Sequence, residues 1–201
     1  MTHRSVERLT FFTDAVVAIA LTLLVLPLLE SVPEAAGRGD STAQWLGEHG
    51  DQLVALGVSF AVVSTYWMSH HRIFEHVVGY TPVLVRLSFL WMLAIVFLQV
   101  PTALVYALPT DRPLVALYIG TMTVGSAMLT ALAWAVHRDP SCQDPDDPLP
   151  SSSVRHSLVI TLLFVLALTV GVALPGLNFL ALLLLLLARP ARWALDRWTA
   201  R

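Results

Sequence analysis

A single cysteine in 201 residues, Cys142, excludes an intrachain disulfide and any cysteine-based zinc cluster, which leaves it to be read as an inert loop thiol. Lysine is absent, and every one of the twelve basic residues is arginine. Charge of either sign is scarce, 13% against 56% hydrophobic residues, and the mean hydropathy is +0.71. One soluble core of this size cannot hide that much apolar surface, so the chain reads as a polytopic membrane protein. Its apolar runs hold no pair of carboxylates and no serine, histidine and acid set, and no glycine-rich phosphate loop occurs, so no enzyme constellation is present. Among the histidines, the adjacent His70 and His71 point about 100° apart on a helix and cannot share an ion. No metal site and no cofactor are expected.

What is present is a series of apolar runs. Six membrane spans are expected, at about 9–29, 53–75, 86–108, 114–137, 156–174 and 177–194, forming one all-α unit over residues 1–201. The first is too long, and its start too acidic, for a cleaved signal peptide, so it is expected to be retained. The last is short unless Arg189 to Trp193 continue it with snorkelling arginines. Between the runs, Glu30 to Asp51 reads as an interfacial loop in which Asp40 or Ser41 caps a short helix with Trp45. Arg138 to Ser153 reads as a flexible linker rich in proline and acid. Six spans place both termini on one side. With the termini cytoplasmic, ten arginines lie inside and only Arg38 and Arg112 outside, which fixes the orientation. The tail with Trp193 and Trp198 among its arginines suits anionic lipid headgroups better than nucleic acid, so lipid and no nucleic acid is expected as a partner.

The first run is the informative one. From Phe11 to Leu29 its only ionisable residue is Asp14, one turn inside the span, where a carboxylate needs a partner, hydrogen bonds or water. Advancing about 100° per residue aligns Arg8, Ala15, Ile19, Thr22 and Leu26 in one narrow stripe and sets Asp14 well off it, toward neighbouring helices.

These residues carry a resemblance. Arg8-x-x-x-Phe12-Thr13-Asp14, followed by Ala-x-x-Ala-x-x-Leu-Thr-Leu-Leu-Val-Leu, resembles the Arg…Phe-Ser-Asp signature of the transmembrane protein 175 family of potassium channels, with Thr13 in place of serine. Trp67-x-x-His70-x-x-x-Phe74 is similar to the end of that family's second helix, and Phe97-Leu-Gln99-Val-Pro101-Thr102 to the end of its third. Gln99 departs from a frequent proline there, and Ser88 from an asparagine.

The resemblance implies a homotetrameric channel of the bacterial plasma membrane with no P-loop filter. Arg8, Phe12, Thr13, Asp14, Trp67 and His70 would then form a structural network near the cytoplasmic interface. Ile19, Thr22 and Leu26 would stack as rings around an axial pore that passes weakly hydrated potassium in preference to other monovalent cations such as sodium. Thr-Val-Gly125-Ser126 lies inside an uninterrupted span and is no filter loop. Two other classes stay open, a secondary transporter and a non-conducting accessory subunit; no internal repeat or intramembrane charge pair supports the first, and the second needs no site.

Overall fold

The computed structural model describes residues 3–79, 81–174, 176–191 and 193. It consists of α1 (His3–Leu23), α2 (Leu26–Arg38), α3 (Thr42–Glu48), α4 (Gly50–Phe74), α5 (Pro82–Phe97), α6 (Gln99–Ala107), α7 (Arg112–Arg138) and α8 (Ser151–Ala173). Short 3-10 windings cover Pro140–Cys142 and Asn178–Leu187. Among the described residues, five stretches are long and apolar enough to cross a membrane: Val6–Arg38, Gly50–Phe74, Pro82–Ala107, Arg112–Arg138 and Ser151–Ala173. The expected sixth is a shorter apolar helix, Asn178–Ala191, and the arginine-rich tail from residue 194 lies outside the described residues.

The first span differs from the expected 9–29. Pro27 has no amide to give the Leu23 carbonyl, and the chain leaves helical form at Leu24 and Val25 before α2 takes the proline into its first turn. α2 then runs past Glu30 and Glu34 to Arg38, where Gly39 at φ 76° closes it. Val6–Arg38 is 33 residues, which at a helical rise amounts to about 50 Å. That exceeds a bilayer core of about 30 Å, so acids are tolerated on the outer turns, and a helix replaces much of the loop expected from Glu30 onward. Ser41 does cap α3, its hydroxyl accepting from the Gln44 amide while Gln44 Oε1 accepts from the Ser41 amide at 2.7 Å.

α7 is the central element and packs against α4, α5, α6 and α8. Its buried Val115, Tyr118, Ile119, Met122, Leu129, Leu132 and Val136 form the middle of the core. Hydroxyls tie it to α8: Ser126 meets Thr161 at 2.8 Å and Thr130 meets Ser157 at 3.0 Å, contacts suited to a setting without competing water. Gly171 lets α8 approach the last helix, since a Cβ there would stand 2.9 Å from the Asn178 carbonyl oxygen.

The segment after α7 is not a flexible linker. Leu149 is buried, its amide donates to Gln143 Oε1 at 3.0 Å, and its carbonyl meets His137 Nδ1 at 3.1 Å. Val77 and Gln143 form an isolated antiparallel bridge. Cys142 is buried here, its thiol donating to the Asp139 carbonyl at 3.1 Å, and burial raises its pKa, which suits an unreactive group.

Close packing is tightest at Gly125, where an added Cβ would stand 2.8 Å from Cε2 of Tyr66. That ring is buried and its hydroxyl donates to the Met122 carbonyl, so it has nowhere to swing. Gly125→Ala should cost about 1–3 kcal/mol of overpacking, partly offset by helix propensity, and lower the thermal midpoint of the purified protein. Gly120→Ala on the same helix, with nothing within 4 Å of the new Cβ, should leave the midpoint level or higher. Equal midpoints for the two variants would refute this packing.

Candidate functional site

α1 has two faces. Val6, Thr13, Val17, Ala20 and Leu24 are buried, at spacings of seven, four, three and four that keep one side of the helix against α4 and α5. The other side carries Arg8, Ala15, Ile19, Thr22 and Leu26, all exposed. Ile19 is 59% and Leu26 47% exposed, whereas Val17 is 2%. The helix break at Leu24 and Val25 falls between Thr22 and Leu26 without turning either inward. The Thr22 hydroxyl donates to the Ile19 carbonyl at 2.8 Å, which leaves its oxygen lone pairs directed off the helix.

Two clefts, of about 400 and 640 Å³, lie between other helices: one among α4, α7 and α8, the other beside α4, α6, α7 and the last helix. Neither is lined by a residue of α1. Around the end of α2 and α3, Glu30, Glu34, Asp40, Glu48 and Asp51 outnumber Arg38, which bonds Asp40 at 2.6 Å, Glu48 at 2.9 Å and Glu34 at 3.2 Å. That balance makes this end of the molecule attractive to cations.

The structure brings together part of the expected network. Trp67 Nε1 donates to Asp14 Oδ1 at 2.8 Å, giving the intramembrane carboxylate its donor and joining α1 to α4. Thr13 instead bonds back to the Leu9 carbonyl at 2.9 Å within its own helix. Phe12 is half exposed, its ring 6.1 Å from that of Phe89 at the surface of the chain. Arg8 lies exposed, and Asp14 is bonded by the indole rather than by this guanidinium.

His70 is a correction. It is fully buried, stacked between Phe74 at 4.2 Å and Trp91 at 4.5 Å, and neither ring nitrogen has a hydrogen-bond partner among the described residues. The histidine that continues from Trp67 is the next one, His71, whose ring stacks on the indole at 5.5 Å and whose Nε2 lies 3.6 Å from Glu75. Four-residue spacing puts Trp67, His71 and Glu75 on one helix face, a signal present in the sequence. Gln99, a departure from the family's frequent proline, has a partner the sequence does not announce: its Nε2 donates to the Ala20 carbonyl of α1 at 3.0 Å, a contact between residues 79 apart. Among the described residues, no group of three His, Cys, Asp or Glu is placed to hold a metal ion.

Residues 8–98 match the family model described as the endosomal/lysosomal potassium channel TMEM175. A protein of Streptomyces collinus named a potassium channel is 32% identical over 151 residues, covering 72% of this chain and 71% of that protein. Proteins of Bos taurus and Mus musculus, each named endosomal/lysosomal proton channel TMEM175, are 40% identical over 78 residues; the match covers 36% of this chain and 16% of theirs.

Trp67→Phe keeps a ring for His71 but removes the donor to Asp14. It should weaken the α1–α4 seam by about 1.5–3 kcal/mol, the range for hydrogen bonds to charged groups, and lower the thermal midpoint. Asp14→Asn, which retains an acceptor for the indole, should lose less. A wild-type midpoint for Trp67→Phe would show that this bond holds nothing together.

Proposed function

Because the chain belongs to the TMEM175 channel family, we propose that it is a potassium-preferring cation channel, a homotetramer whose axial pore is lined by the first span of each subunit. The observation that carries this reading is the two-faced α1: Val17, Ala20 and Leu24 bury one side, while Ile19, Thr22 and Leu26 stay exposed although both neighbouring helices are in place. One subunit supplies a single such stripe, too little wall to enclose a path, and cyclic symmetry turns the stripe into rings. Ile19 and Leu26 are then aliphatic rings that gate by dewetting, and Thr22 offers hydroxyl oxygen between them. An ion that sheds water easily crosses such a column best, which favours potassium over sodium. Acids at the outer end would raise the local cation concentration.

The sixth crossing belongs to the same proposal. Ten residues of 3-10 helix rise roughly 20 Å, and the α-turn to Ala191 adds about 6 Å, so Asn178–Ala191 nearly matches a bilayer core despite its length. Both termini then lie in the cytoplasm of a bacterial cell, as the arginine distribution favours.

A second reading, proton permeation, is favoured by the name of the vertebrate relatives. Bilayer recording from purified protein separates the readings: the reversal potential should follow the potassium gradient and stay fixed when only the proton gradient is changed. Unitary currents also separate a channel from a transporter or an accessory subunit. Within the pore, Ile19→Asn or Leu26→Asn should raise current and lower potassium preference, because a ring of amides hydrates an ion that aliphatic groups cannot. Thr22→Val, close in shape without the hydroxyl, should lower unitary conductance. Val17→Ala on the buried face should leave permeation unaltered. If the variants at Ile19, Thr22 and Leu26 in folded protein match wild type in conductance and reversal potential, α1 is not the pore wall.

A further inference from the structure

The first and third spans are both interrupted, and the interruptions meet. Pro27 denies a backbone donor to the Leu23 carbonyl, and Pro101 does the same to the Phe97 carbonyl. α1 accordingly ends at Leu23, α5 ends at Phe97, and α6 opens with Gln99 after Leu98. The last four carbonyls of any helix lack regular helical donors, and in α1 these belong to Ala20, Leu21, Thr22 and Leu23. The Gln99 amide donates to the first of them at 3.0 Å, in a setting where Ala20 and Leu98 are buried and water is not at hand to replace it. Immediately before Ala20, the Ile19 carbonyl receives the Thr22 hydroxyl at 2.8 Å. Two successive carbonyls of one turn are thus held by side chains, and that turn carries Ile19 and Thr22 on its exposed side.

We propose that Gln99 is a positioning residue for permeation: by holding the Ala20 carbonyl from the far side of α1, it fixes the pitch and depth of the turn that presents Ile19 and Thr22. This inference rests on the first span being the pore wall. The brace is single and directional. Its donor sits at the start of α6, next to Leu98, whose backbone stays helical and bonded to Ala94 and Thr102 at 3.1 Å each, so the amide is held on a firm support against α1. Nothing else about Gln99 accounts for a polar side chain there, since Val100 is exposed and Leu98 is packed in the core.

The test uses the full-length protein in planar bilayers. Gln99→Met keeps length and flexibility and removes the donor, so it should change the potassium-to-sodium permeability ratio about twofold or more, as expected for a residue coupled to a functional equilibrium. The oligomer profile on gel filtration should stay as in wild type. The matched control is Gln52→Met, because Gln52 Nε2 also donates to a backbone carbonyl of another helix, that of Tyr106 at 3.1 Å, without touching α1. It should leave the ratio alone. Should Gln99→Met fail to assemble, Gln99→Asn, one methylene short of the Ala20 carbonyl, is read by the same criteria. A wild-type ratio and conductance in the Gln99 variant, with Ile19→Asn still altering permeation, overturns the role of Gln99 and leaves the pore reading standing. An equal change in Gln52→Met also overturns it, because general loosening then explains the effect. If neither Ile19→Asn nor Gln99→Met alters permeation, the pore reading itself falls, and this inference with it.

Discussion

In a bilayer core a backbone carbonyl without a donor cannot turn to water, and that constraint organises this chain more than any single packing contact. Its long spans are helical because helices satisfy their own backbone. Near the break in the first span, side chains add donors: the Gln99 amide reaches the Ala20 carbonyl, one of the four left open at the end of α1, and the Thr22 hydroxyl donates back to the Ile19 carbonyl of its own helix. The same economy governs polar side chains. Asp14 is tolerable within the first span because the Trp67 indole donates to it, and Ser126, Thr161, Thr130 and Ser157 pair with one another between α7 and α8.

Set against that, the exposed side of α1 looks incomplete. A span that buries Val17 and Leu24 tightly while leaving Ile19 and Leu26 outside has made its contacts within its own chain with one side only. Lipid would accept those aliphatic groups, but the stripe also carries the Thr22 hydroxyl, and beyond Leu26 the same span runs on past the carboxylates of Glu30 and Glu34. Lipid contact explains the aliphatic residues alone; a shared axial path accounts for all three features. Family membership makes conduction the relevant activity, and the two-faced helix gives it a physical location in the proposed assembly.

Much of this was legible in the sequence. Hydropathy located the long spans, the lone intramembrane acid pointed to the α1–α4 seam, and 100° periodicity separated Ile19, Thr22 and Leu26 from Val17. Boundaries were less legible. Glu30 and Glu34 resemble loop residues when the membrane edge is assumed to end the helix, although Gly39 after Arg38 marks the true stop and Pro27 marks the interior break. The composition of the segment after α7 suggests a flexible linker, whereas Gln143 and Leu149 hold it through contacts that composition does not encode. His70 was placed in the Asp14 network by motif, but its surroundings are set by Trp91 on another helix. Gln99 stands out in the sequence as a departure from a frequent proline, but its partner is not legible there, because it is a backbone carbonyl 79 residues away.

The central claim is that ions pass along the exposed side of α1, and cysteine mapping tests it most directly. In a Cys142→Ser background, cysteines are introduced singly at Ile19, Thr22 and Val17, and current is followed while a small methanethiosulfonate reagent is applied to the purified channel in a bilayer. Modification should reduce current at Ile19→Cys and Thr22→Cys and leave it unchanged at Val17→Cys. Block at Val17→Cys together with silence at Ile19→Cys and Thr22→Cys, with labelling of the latter two demonstrated by mass, would contradict the account.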